Sequence, residues 1–207
     1  DEAEKLFTSV LKKDPHHLDA NKGMADLYYR KGMIREGLSA IRKNLAVNSY
    51  DAKANFIAGN LYRANGKWHD AREAFGWAVR SMAFRSSGFA QMAETYLIEK
   101  QWSKTIHYAK QALDFNRFNM NALQVLAIAN RKLGQSAEAK KWIDHLLRID
   151  PLHHFAYLEM QFMDPSDKNS DRFHGSIKNE FPEQTYLELA ISYSNRGLKE
   201  EALETLK

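Results

Sequence analysis

A spacing of 34 residues recurs along this chain and constrains its fold more than any other feature. Tyr28, Tyr62 and Tyr96 are 34 apart, as are Gly32 and Gly66, and Gly134 lies 68 beyond Gly66 with Lys100 in the slot between. Small residues form two further columns in the same register: Ala25, Gly59, Ala93 and Ala127 in one, and Gly37, Ala71, Thr105 and Ala139 in the other. Large apolar residues fill complementary columns, Met24, Met92 and Leu126 with Ala58 among them, and Ile41, Phe75 and Ile143 with Ala109. A fixed period of this length marks a repeat architecture in which each unit is one supersecondary element.

Within one period the apolar spacing is helical twice, in Met24 and Tyr28 and again in Leu38, Ile41 and Leu45, with a turn at Lys31, Gly32 and Met33 between them. Each period therefore reads as a helical hairpin. A lone hairpin cannot cover its apolar stripe, so neighbours must stack. The chain is predicted to be all-α, a right-handed α-solenoid of stacked antiparallel helix pairs with about thirteen helical segments. Helix-forming residues dominate, and only four prolines and ten glycines interrupt them.

These columns resemble the tetratricopeptide repeat family. The run from Gly66 through Trp68 to Ala71, then Phe75 and Ala78, matches that family's turn and second helix, and Gly197 to Ala202 matches it again. The resemblance makes the chain a single solenoid fragment with full repeats at 18–51, 52–85, 86–119 and 120–153 and partial repeats at 1–17 and 183–207. The family's closing proline is present as Pro15 and Pro151, but Ser49, Ala83 and Arg117 stand in those slots elsewhere, so the middle second helices are expected to run longer. Both ends fall within a repeat, as in a piece excised from a longer protein, and their uncovered apolar faces are expected to favour end-to-end self-association. The passage from Asn179 to Ala190 resembles bacterial proteins that join an N-terminal domain of unknown function to such repeats.

Between Gly134 and Gly197 the distance is 63, five short of two periods, so residues 154–182 form a degenerate unit. Phe155, Tyr157, Leu158, Met160 and Phe162 read as its first helix. Met163 to Asp171, with Pro165, read as a loop, and Phe173 to Phe181 as a short second helix before Pro182.

Composition removes several function classes. No cysteine is present, which excludes disulfides and thiolate chemistry. No apolar run is long enough to span a bilayer. The net charge of +4 is spread among acids instead of gathered in runs, so nucleic acid is not the expected partner. The compartment is left open, with the cytoplasm as the default. There is no glycine-rich phosphate loop and no nucleophile elbow, so neither an enzyme nor a cofactor is expected. The histidine pairs His16-His17 and His153-His154 occupy equivalent turns, where adjacent residues do not converge on one metal ion. Trp68, Trp77, Trp102 and Trp142 read as packing residues. Glu200 and Glu201 read as a solvated helix exterior.

In the family that this chain resembles, the first helices line a concave face. The resemblance places Lys22, Asp26, Tyr29 and Arg30 there, followed by Lys53, Phe56, Asn60 and Arg63, then Glu94 and Leu97, and finally Gln124, Ile128, Arg131 and Lys132. Cations, amides and aromatics in one strip suit an extended, acidic protein or peptide segment. The family's clamp for chaperone tails is not reproduced, because Asp26, Ile57, Ser87 and Gln91 stand in four of its five slots and only Lys22 agrees. The expected function is a protein-interaction scaffold; the alternative is a non-catalytic helical arm of a larger enzyme.

Overall fold

The computed structural model describes residues 2–178 and 181–207. They form two compact units, one ending at Thr95 and the other running from Tyr96 to Lys207. Unit 1 holds α1 (Glu2–Lys13), α2 (Leu18–Arg30), α3 (Ile34–Val47), α4 (Ala52–Ala64), α5 (Trp68–Ala78), a 3-10 turn at Met82–Phe84, and most of α6 (Arg85–Ile98). Unit 2 holds the end of α6, then α7 (Trp102–Phe115), α8 (Met120–Lys132), α9 (Ser136–Ile149), α10 (His154–Met163), α11 (Asp167–Ser176), α12 (Pro182–Asn195) and α13 (Lys199–Thr205). Among the described residues there is no strand, and no helix is long and apolar enough to cross a membrane.

The 34-residue columns act first as local chemistry. After α2, the Gly32 N–H donates to the Tyr29 carbonyl at 3.0 Å and the Met33 N–H to the Tyr28 carbonyl at 2.9 Å. This paired closure satisfies two orphan carbonyls at the helix end. It recurs after α4, α6, α8 and α12, so the Tyr28, Tyr62 and Tyr96 column supplies a carbonyl that each of its turns needs. The closure requires a left-handed residue. Gly32, Gly66, Gly134 and Gly197 take φ of 71 to 74°, and Lys100 takes 57° despite its side chain.

Two further columns govern the other ends. Asp14, Asn48, Asn116 and Asp150 each accept an N–H from the residue two places on, at 3.0 to 3.1 Å, and so turn the chain out of the second helix. Three residues later His17, Asp51, Asn119 and His153 cap the next helix, each accepting an N–H at 2.9 to 3.3 Å.

This chemistry overturns the expectation that second helices without a closing proline run longer. Helices α3, α7 and α9 each have 14 residues, although only α9 is followed by the proline, because a side-chain turn and not the proline stops them. Helix α5 has only 11. Its turn slot holds Met82, which offers no acceptor, and the 3-10 turn Met82–Phe84 makes the connection instead.

Packing follows the small-residue columns. In unit 1, Ala25, Leu38, Ile41, Ala54, Ala58 and Leu61 belong to one buried cluster. A Cβ on Gly59 would lie 2.5 Å from the ring of Phe75, and one on Gly37 would lie 2.6 Å from Leu61, so these glycines set the distance between helices. In unit 2 the interior includes Leu123, Val125, Leu126, Ile143 and Leu146, all fully buried.

The degenerate unit differs from its sequence reading. Helix α11 begins at Asp167, inside the span read as a loop, and ends at Ser176, short of Phe181. Residues 179 and 180 of that reading lie outside the described residues, as do the first two residues of the Asn179–Ala190 passage. The polar run from Asp167 to Asp171 is helical because Asn169 and Phe173, four apart on one face, are both buried. Asn169 donates to the Asp164 carbonyl at 2.9 Å, and Phe173 meets Tyr186 edge-on at 5.6 Å.

Candidate functional site

In unit 1 the strip runs over α2 and α4, which lie side by side. Lys22 is tied down, with its ammonium 2.8 Å from Asp51 and 3.1 Å from Asp19. Its hydrogen bond to Asp51, acting against partial burial, raises the Lys22 pKa. Asp26 and Arg30 pair at 2.9 Å one turn apart and stay largely solvated. Tyr29 and Asn60 are half-buried and Lys53 is exposed. Phe56 is turned into packing, 5.7 Å from the Phe75 ring and 5.2 Å from Phe84. Arg63 forms an ion pair with Glu94, in which both side chains are mostly covered. Residues that share a helix face in the sequence thus separate into an open set of Asp26, Arg30 and Lys53, a half-buried pair of Tyr29 and Asn60, and a held set of Lys22, Phe56, Arg63 and Glu94.

In unit 2 the corresponding strip on α8 is covered by the chain itself. The Arg131 guanidinium makes a two-pronged contact with Glu159 of α10, at 2.7 and 3.1 Å, and reaches Glu201 of α13 at 3.2 Å. Glu159 is fully buried and also accepts from the Tyr193 hydroxyl at 2.7 Å. Lys132 pairs with the same Glu201. Farther along, Arg196 donates to Asn121 at 3.1 Å and to Gln124 at 2.8 Å. Ile128, in the middle of the strip, has no exposed surface, and neither has Leu97 near the end of α6. Both were expected on the groove and instead belong to the interior.

The electrostatics of this cluster follow from its burial. Burial opposes the Arg131 charge, but Glu159, with Glu201 beyond it, holds the Arg131 pKa above its ordinary value. Burial, reinforced by Glu159, pushes the Tyr193 hydroxyl well above the usual tyrosine range and keeps it a donor. Burial raises Glu201 as well, yet Lys132 and Arg131 outweigh it and bring its carboxyl below the ordinary value. The reading of Glu200 and Glu201 as a solvated pair is therefore corrected: Glu200 is exposed, whereas Glu201 is 6% exposed and bridges two cations.

Sequence reasoning missed Glu159, Tyr193, Arg196 and Glu201; the hydrogen bonds of Glu201 and Arg196 to α8 join residues 70 to 75 apart, beyond the reach of the 34-residue period. The histidine turns did carry a readable signal. His17 and His153 share a column with Asp51 and Asn119, which is the mark of a helix cap. The four tryptophans are half-buried; Trp77 lies edge-on to Tyr50 at 5.0 Å with the Arg80 guanidinium 4.0 Å from its ring.

No family model matches the chain. Solved structures do. YrrB, a tetratricopeptide protein with an unusual peptide-binding site, is 18% identical, with 96% of each chain aligned and a TM-score of 0.62. PilW, a type IV pilus biogenesis factor, is 16% identical over 92% of this chain and 86% of its own, with a TM-score of 0.72. A human IFIT1 dimer with m7Gppp-AAAA matches at 14% identity over 98% of this chain and 52% of its own, with a TM-score of 0.64. Identities this low speak for architecture and not for a ligand. Together with the paired helices and the recurring closure at each turn, they show that this chain has the tetratricopeptide-repeat fold.

Proposed function

We propose that the chain is a protein-interaction scaffold that holds an extended acidic peptide segment against the open strip of unit 1. The observation that carries this reading is the exposed pair Arg30 and Lys53, with the half-buried Tyr29 and Asn60 beside them, on the neighbouring helices α2 and α4. Arg30 and Lys53 offer charge-assisted hydrogen bonds to carboxylates, Asn60 offers an amide that both donates and accepts, and the ring of Tyr29 offers apolar area with little entropy to lose. The held pairs Lys22–Asp51 and Arg63–Glu94 keep the flanking helices in register instead of reaching for the partner. The occurrence of a peptide-binding site in YrrB supports the same class of use for this fold. The strip's residues bring no nucleophile and base together, so binding and not catalysis is their chemistry.

The test uses a fluorescein-labelled hexaglutamate peptide and the full chain. Binding should weaken as salt is added, because exposed charges are screened. Replacement of Tyr29 by alanine should cost about 2 kcal/mol as the anchor, while replacement of Lys53 should cost about 0.5 kcal/mol. Binding that ignores both substitutions in a folded chain would reject the strip.

A further inference from the structure

Beside the shortened unit lies a cleft of about 280 Å³ between α9, α10 and α11. Helix α10 has ten residues where α2, α4 and α8 have thirteen, and the cleft opens along its last turn. Its apolar lining is the fully buried Ile143 with the half-buried Met160 and Met163. Methionine side chains are flexible and polarisable, so such a lining adapts to a hydrocarbon chain. The rim is cationic. Lys168 and Arg172, exposed and one turn apart on α11, both border the cleft, and neither has an acid partner among the described residues. Like charges four apart on a helix destabilise it, and an anion held between them relieves that repulsion.

The other charges that border the cleft are already engaged. Lys140 pairs with Asp144 at 2.9 Å, and the Asp164 carboxylate accepts from Asn169 at 3.2 Å and from Ser166 at 3.3 Å. With Asp144 and Asp164 both counted, Lys140, Lys168 and Arg172 still leave an excess of one positive charge. Asp167 and Asp171 each precede a cation by one position, about 100° round the helix, and do not border the cleft. At about 30 Å³ for each atom, as for a water molecule, the volume holds roughly nine non-hydrogen atoms.

We infer that this cleft binds a small monocarboxylate with a hydrocarbon chain of about six carbons, its carboxylate taken by Lys168 and Arg172 and its chain laid on Ile143, Met160 and Met163. Arg172 presents a planar fork that meets both carboxylate oxygens, and Lys168 adds a mobile point charge, so an acid is told apart from an alcohol of the same chain. The volume takes the chain and its carboxylate with no room for a peptide backbone beside them. None of these residues belongs to the strip proposed for peptides in unit 1.

The experiment uses the full chain, isotope-labelled at its methionine methyls, and follows a titration with sodium hexanoate by NMR. Hexanoate is expected to shift the Met160 and Met163 signals and to leave those of Met24 and Met92 in unit 1 unmoved. Hexanol, which has the chain without the charge, and acetate, which has the charge without the chain, are each expected to bind at least about tenfold more weakly. Lys168→Gln and Arg172→Gln each remove one charge from an exposed position and are each expected to weaken hexanoate about tenfold. Met163→Trp, which fills the cleft, is expected to abolish the shift at Met160 while the circular dichroism stays unchanged. Methyl signals that hexanoate leaves unmoved, an alcohol that binds as well as the acid, or shifts that survive both glutamine substitutions overturn the inference.

Discussion

Two strips built from the same repeat positions meet different fates. On α2 and α4 of unit 1, Asp26, Arg30 and Lys53 keep solvent contact, and the charged residues pair locally or with the next first helix. On α8 of unit 2, Ile128 is fully buried and Arg131 is mostly covered, and Gln124 and Arg131 bond residues 28 to 72 farther along the chain. The regular spacing of unit 1 places each hairpin beside its predecessor. The shortened unit of α10 and α11, with ten residues in each helix, brings α12 and α13 back onto α8. Past the shortened unit, the hydrogen bonds of Glu201 and Arg196 hold α12 and α13 to α8, and buried polar groups there find partners within the chain.

The largest test of this contrast is removal of the buried acid. Glu159→Ala leaves Arg131 and the Tyr193 hydroxyl without their main partner inside unit 2, and should cost about 3 to 5 kcal/mol. Breaking the Lys22–Asp51 pair of unit 1 by Lys22→Ala should cost about 1 kcal/mol or less, since that pair lies near solvent. Urea titrations of the two variants compare them directly; equal losses would mean that the two strips are held alike.

Next in size is the close approach of helices in unit 1. Gly59→Ala puts a methyl 2.5 Å from the buried Phe75 ring and should cost about 1 to 3 kcal/mol in thermal unfolding. The same column in unit 2 holds Ala127, already fully buried, so a methyl belongs there. Ala127→Gly should lose about 1 kcal/mol, so that glycine is favoured at one position of the column and alanine at another. A stabilising Gly59→Ala would remove glycine's role in setting the helix distance.

Caps sharpen the comparison through pH. His153 caps α10 by accepting at Nδ1, which requires the neutral ring, and burial holds its pKa below the ordinary histidine value, with Asp150 opposing and His154 assisting the shift. Its contribution is complete above about pH 6.5 and is lost as pH falls through the lower folded-state value. Asp51 caps α4 as a carboxylate; burial raises its pKa, but Lys22 and the Ala54 N–H outweigh that and leave it lowered. Its contribution persists until pH falls below the ordinary aspartate range. His153→Ala should therefore cost about 1 kcal/mol at pH 8, and its deficit should fade on acidification, whereas Asp51→Ala should show a steady cost from about pH 8 to pH 5. A His153→Ala deficit independent of pH would reject the neutral-ring cap.

The smallest expected change is a gain. Lys100 occupies the left-handed position that glycine fills in the other turns, so Lys100→Gly should raise stability by about 0.5 to 1 kcal/mol. No change in the unfolding midpoint would indicate that the turn carries no strain.

Much of the architecture was legible in the amino-acid sequence, because the information is local and repeated. A 34-residue column of tyrosines and glycines encodes a turn whose hydrogen bonds span a few residues, and a column of small residues encodes how closely adjacent helices approach. The caps at His17, Asp51, Asn119 and His153 were written in that register too, although histidine disguised two of them. What the period does not contain is any relation between residues 70 or more apart. Arg30 and Lys132 stand three periods apart in one column, each a cation at the last position of its helix, and nothing nearby in sequence foretells that they meet different surroundings.

The tertiary structure decided the rest. Arg30 keeps its charge in water beside Asp26, while Lys132 and its neighbour Arg131 are gathered around the buried Glu201, with Glu159 enclosing Arg131 from the other side. The physical reason is range. Helix periodicity, turn closure and capping act over a few residues and can be read from spacing, but whether a polar face stays wet depends on which distant helix the accumulated geometry of the repeats lays against it.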